Sequence, residues 1–124
     1  MAKPRLQPGP DHPITITPTG KRVSVTVGGK LIAETDGALT LQESTYPPVQ
    51  YIPLADIDPA ALTRSDKQTY CPYKGDASYW SLPDAADAVW GYADPYEAVK
   101  EIKGFVAFYP DKAEVVIADR TAAS

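Results

Sequence analysis

Val23-Ser24-Val25-Thr26-Val27-Gly28-Gly29-Lys30-Leu31-Ile32-Ala33 is the stretch that decides the fold. Three valines alternate with Ser24 and Thr26, a period of two that marks a strand with one buried face. Gly28-Gly29 then predicts a tight hairpin, because glycine takes positive φ at both central positions without a Cβ clash. Leu31-Ile32-Ala33 runs back along it. Working outward, the two-residue rhythm begins at Ile14, and Asp36-Gly37 turns the chain into Leu39-Thr40-Leu41-Gln42-Glu43. Leu39 and Leu41 share one face of that strand, and Glu43 continues it. A carboxylate that ends an apolar face either emerges at the sheet rim or lies in a pocket with a partner.

Further on, Tyr46-Pro47-Pro48 is a stiff turn into an extended piece, 49–52, ended by Pro53. Asp58-Pro59-Ala60-Ala61-Leu62 predicts one helical turn, with Asp58 as cap and Pro59 in the first helical position. Arg64-Ser65-Asp66-Lys67 reads as a polar bridge. Residues 78–82 and 88–92 read as strands around a Pro83-Asp84 turn, and 105–109 and 114–118 as strands around Pro110-Asp111-Lys112. One α-helix is predicted at about 95–103. Asp94 caps it, Glu97 has the capping-box spacing, Ala98, Val99 and Ile102 form its apolar face, and Gly104 stops it. The expected fold is therefore mainly β, a small antiparallel domain with one covering helix. The expected organisation is a flexible Pro-rich arm (1–13, with Pro4, Pro8, Pro10 and Pro13), a single β-rich domain (14–118) and a flexible tail (119–124).

Composition narrows the function classes. The chain has 124 residues, 44% hydrophobic and 23% charged, as in a soluble globular domain rather than a disordered one. Thirteen prolines disfavour long helices. Lys plus Arg is 12 against 16 Asp plus Glu, and the basic residues are scattered, which argues against nucleic acid as a partner. One cysteine excludes an intrachain disulfide, and one cysteine with one histidine excludes a four-ligand Cys/His zinc site. No apolar run approaches the roughly 20 residues of a membrane span. Met1-Ala2-Lys3-Pro4-Arg5 lacks the apolar stretch of a signal peptide, so the expected location is cytoplasmic. No metal or cofactor is expected.

Reactive groups are densest in Cys71-Pro72-Tyr73-Lys74-Gly75-Asp76-Ala77-Ser78-Tyr79-Trp80. Cys71 and Lys74 are three residues apart, and an ammonium beside a thiol stabilises the thiolate. The bland alternative is an inert, buried thiol. Asp56-Ile57-Asp58 matches a carboxylate pair that can hold Mg²⁺, but Gly28-Gly29 lies too far upstream to serve it and Asp58 is explained as a cap. His12 falls in the arm, which leaves Glu43, Lys74 or a tyrosine for acid–base work. The aromatics Tyr46, Tyr51, Tyr73, Tyr79, Trp80, Trp90 and Tyr92 serve either as packing or as a wall on which a planar ligand stacks. Tyr79 and Trp80 point to opposite faces, so one cavity cannot hold both.

Several of these runs, in order, resemble the family catalogued as domain of unknown function 427. They are Leu39–Glu43 with Tyr46-Pro47-Pro48, Tyr51 and Pro53; Thr69-x-Cys71-Pro72-Tyr73-Lys74-Gly75 with Tyr79-Trp80; and Trp90-x-Tyr92, Asp94-Pro95 and Gly104-Phe105-Val106-Ala107-Phe108-Tyr109. The likeness spans about residues 22–117. It implies a tent-like or barrel-like β fold of the kind shared by zinc-class methionine sulfoxide reductases and the ligand-binding domain of cereblon. It also places Glu43, Tyr46, Cys71, Tyr73, Lys74 and Tyr79 around one cleft. A nucleotidyltransferase label sometimes goes with the family, and the residues here do not support it.

The leading expectation is a domain that binds a small molecule, anionic or planar, between Glu43, Lys74 and the rings of Tyr46, Tyr73, Tyr79 and Trp90. Cys71 as a nucleophile or redox sensor is the second reading. A partner-binding module without catalysis is the third, and nucleotide transfer a distant fourth.

Overall fold

The computed structural model describes residues 5–118; the first four residues of the expected arm and the expected tail at 119–124 lie outside the described residues. Gly28 and Gly29 take φ of 58° and 81°, closing the hairpin between β2 (Val23–Val27) and β3 (Lys30–Thr35) as their lack of Cβ allows. Around it run β1 (Ile14–Pro18), β4 (Leu39–Glu43), β5 (Val49–Pro53), β6 (Thr63–Cys71), β7 (Gly75–Leu82), β8 (Ala85–Gly91), β9 (Phe105–Phe108) and β10 (Glu114–Ile117). The strands form a seven-stranded sheet, β1-β4-β5-β9-β8-β7-β6, and a three-stranded sheet, β10-β2-β3. Every pairing is antiparallel. Among the described residues no helix is long and apolar enough to cross a membrane.

Two apolar clusters follow from the alternation. Val23 and Val25, both fully buried on the central strand of the small sheet, pack with Ile52, Val89, Val106 and Phe108 on one face of the large sheet. The β2–β3 register slips between Val25 and Thr26, so Ile32 and Ala33, consecutive in sequence, are both buried. The other face of the large sheet carries Leu41, Tyr51, Ala77, Tyr79 and Ala107, covered by Val99 and Ile102.

Two expectations need correction. The residues read as an α-helix form short 3-10 turns over Glu97–Ile102, broken at Val99 (φ −129°, ψ 27°) and without a side-chain cap. The segment is tied at its start, where Tyr96 N–H donates to Lys74 O (3.0 Å), and six residues give too few turns to offset helix nucleation. Of its expected apolar face, Val99 and Ile102 are fully buried, whereas Ala98 is exposed. The polar bridge 64–67 is part of β6, which bulges between Arg64 and Gln68. Its alternating polar residues are mostly exposed, which hid a strand from a reading based on apolar rhythm.

Candidate functional site

Glu43 ends β4 opposite Ile14 of β1. The chain leaves through Ser44 in a left-handed conformation (φ 50°), whose N–H donates to Pro13 O at 2.8 Å. Because β1 and β4 are antiparallel, the residues ahead of Ile14 must lie beside those that follow Glu43. His12 is brought to the carboxylate in this way.

Lys74 comes from the far side of the large sheet, in the turn between β6 and β7. Its N–H donates to Cys71 O (3.2 Å), and Gly75 follows with φ 109° against the backbone of Asp94. Lys74 is 7% exposed. Its Nζ donates to Glu43 Oε1 at 2.5 Å, while His12 Nε2 lies 2.8 Å from Oε2. A carboxylate only accepts, so the His12 proton on Nε2 points at Glu43. Burial pushes the Glu43 carboxyl up, but the hydrogen bonds and charges of Lys74 and His12 outweigh it and hold the group below its ordinary value. The ionised form is the resident one.

Rings enclose this cluster. His12 stacks on Tyr73 with centroids 4.0 Å apart and planes 10° apart, and meets Tyr46 edge-on at 6.4 Å. Residues of the arm make backbone contacts here: Leu6 N–H donates to Pro72 O (2.9 Å), and Gly9 and His12 exchange backbone hydrogen bonds. The arm lies across the gap between the β6–β7 turn and the end of β4.

The other sequence-selected residues divide. Tyr46, 60% exposed, lines a cleft of about 490 Å³ together with Pro47, Pro48, Trp90, Phe108 and Ile117. Trp90 reaches that cleft with one side and Tyr109 with the other, at 4.6 Å. Tyr79 is buried, shares a hydrogen bond with Thr69 (2.9 Å) and lies under the Lys67 ammonium at 4.8 Å, so it packs the interior. Cys71 is half-buried against that same interior cluster. Tyr51 and Tyr92 lie within it, and burial above all raises their phenols well beyond the ordinary value; for Tyr51 a hydrogen bond with the Trp90 side chain works against this. Of the residues expected around one cleft, Glu43, Lys74, Tyr73 and Tyr46 come together, whereas Tyr79 turns inward.

The Asp56–Asp58 pair has local work. Asp56 accepts from Thr35 Oγ1 (2.6 Å), and Asp58 Oδ1 accepts from Ala60 N–H (3.0 Å) at the head of a 3-10 turn, as a cap should. His12 is the member of this cluster that composition and spacing did not place there. Only the pairing of β1 with β4 reveals it, and that pairing is non-local.

A carboxylate gripped by an ammonium and an imidazole, beside the rings of Tyr73 and Tyr46, has the chemistry to hold and pass a proton. No curated protein matches the chain at a significant level. The family model described as a domain of unknown function (DUF427) matches residues 15–119, which includes both ends of the Glu43–Lys74 pair. The chain therefore belongs to the DUF427 family.

Proposed function

We propose that this protein binds a small planar molecule in the cleft between Tyr46 and Trp90, with the His12–Glu43–Lys74 cluster engaging a polar group of that ligand. One observation carries the reading: the Tyr46 ring belongs both to the cleft wall and to the ring contacts of His12. The ligand's ring stacks on the exposed face of Tyr46. Its polar edge reaches His12, whose imidazole is already polarised by Glu43. Lys74 is occupied by Glu43, so its role is to keep that carboxylate ionised rather than to capture an anion. Any proton exchanged with the ligand passes at His12.

Thermal-shift screening with purines, pteridines and aromatic acids tests this. At ten times its Kd a ligand stabilises by about 1.4 kcal/mol, or roughly 5 °C for a chain of this size. A stabilising compound should lose its effect in Tyr46→Ala and weaken in His12→Gln, each read against that variant's own baseline. A compound whose shift survives both substitutions would refute the assignment.

A further inference from the structure

A second cleft, about 320 Å³, lies where Trp80, Arg64 and Lys103 line the space beside Gly91. We propose that it is a binding site for a small aromatic carboxylate, separate from the Tyr46 cleft. Its shape follows from Gly91. A Cβ there would lie 2.8 Å from Phe105 O and 2.9 Å from Val106 Cγ1, and 3.5 Å from Trp80 Cζ3, so only a bare backbone leaves the floor open beside the indole. Trp80 is partly exposed and offers its ring to the cavity, and Leu54 forms an apolar wall beside it.

The charges are distinctive. Arg64 stands over the Trp80 ring at 5.2 Å, and its Nη2 donates to Ser78 Oγ at 3.1 Å, which fixes the guanidinium at the rim. Lys103 lines the same cleft just before Gly104, whose φ of 83° turns the chain away. No carboxylate lines the cleft, and among the described residues neither cation has an ion-pair partner. In a chain of net charge −4, two uncompensated cations flanking an indole form a local positive field. A flat ring stacks against Trp80 while its carboxylate accepts from Arg64, whose planar fork suits that geometry, and from Lys103.

The test uses the full chain and two-dimensional NMR of its two tryptophan indole N–H groups, assigned with Trp80→Phe. 2-Naphthoate is titrated to millimolar concentration beside the uncharged 2-naphthamide. The expected result is a saturable shift of the Trp80 signal, with affinity falling roughly tenfold in Arg64→Gln, about threefold in Lys103→Gln, and roughly tenfold for the amide. An unmoved Trp80 signal would overturn the proposal. So would equal binding of acid and amide, movement of Trp90 alone, or wild-type affinity in both variants. If Arg64→Gln loses its dispersed spectrum, Lys103→Gln, which touches no core packing, decides.

Discussion

Replacing Glu43 by Gln keeps the shape of the side chain and removes its charge, leaving the Lys74 ammonium 7% exposed and facing a neutral amide. Breaking a buried ion pair by removing one member costs about 3–5 kcal/mol. Water reaches this cluster, since the Glu43 and His12 side chains are 16% and 22% exposed, and the amide oxygen still accepts from Nζ. The expected loss is accordingly about 2–3 kcal/mol. Unfolding entropy near 2.1 cal/mol/K per residue, over 124 residues, converts this to a Tm lower by roughly 8–12 °C. Lys74→Met alone should also destabilise. The double variant should recover to within about 1 kcal/mol of wild type, because no buried charge is then left alone. Thermal unfolding by circular dichroism at neutral pH measures all four proteins. A drop below about 3 °C for Glu43→Gln, or strictly additive single losses, would refute the reasoning. The pH dependence has a definite sign: Glu43's folded value lies below its unfolded one of about 4.5, so its contribution is complete above that pH. It is lost as pH falls through the lowered folded value, and the gap between wild type and Glu43→Gln should close there.

Gly91→Ala drives a Cβ to 2.8 Å from the backbone oxygen of Phe105, and should lower stability by about 2 kcal/mol or more by the same assay; an unchanged Tm would show that β8 and β9 yield freely. Ser44, at φ 50°, should tolerate Gly within about 0.5 kcal/mol but lose about 1–2 kcal/mol as Val, whose branched Cβ resists a left-handed backbone. Equal denaturant midpoints for the two variants would contradict that. In an alkaline absorbance titration of the eight tyrosines, Tyr51 and Tyr92 should stay protonated well after the exposed phenols have ionised, until the chain unfolds. Their unfolded phenols ionise near pH 10, so stability should fall as pH rises above that value. A single smooth titration of all eight near pH 10 would argue against their burial.

Much of this architecture was legible because hairpins are local. Gly28-Gly29 and Pro83-Asp84 lie between paired strands as the turn chemistry requires, and the alternation of Val23 and Val25 located the first core. Glu43 could be singled out because it continues the Leu39–Leu41 face, and that face is the one that packs. Periodicity does not encode meetings between distant segments: Glu43 meets Lys74, as expected, and also His12, a residue expected only in the arm, each 31 residues away. The helix expected at 95–103 fails for a related reason: Tyr96 rather than Asp94 stands at its head, without a side-chain cap and bonded to Lys74 across the fold, and the turns stop short. The family likeness sets Tyr79 around the cleft, whereas its hydroxyl shares a hydrogen bond with Thr69 on the adjoining strand.

The outer margins of the two sheets are not equally guarded against pairing with a second molecule. β6, last in the large sheet, carries Arg64, Asp66 and Lys67 through its bulge, and charges on a distorted ladder discourage another chain from docking there. β10, last in the small sheet, has no bulge against β2 and presents Val116 and Ile117, 48% and 44% exposed. Self-association at high concentration would therefore begin along β10, and a lysine at Val116 is the substitution that would blunt it.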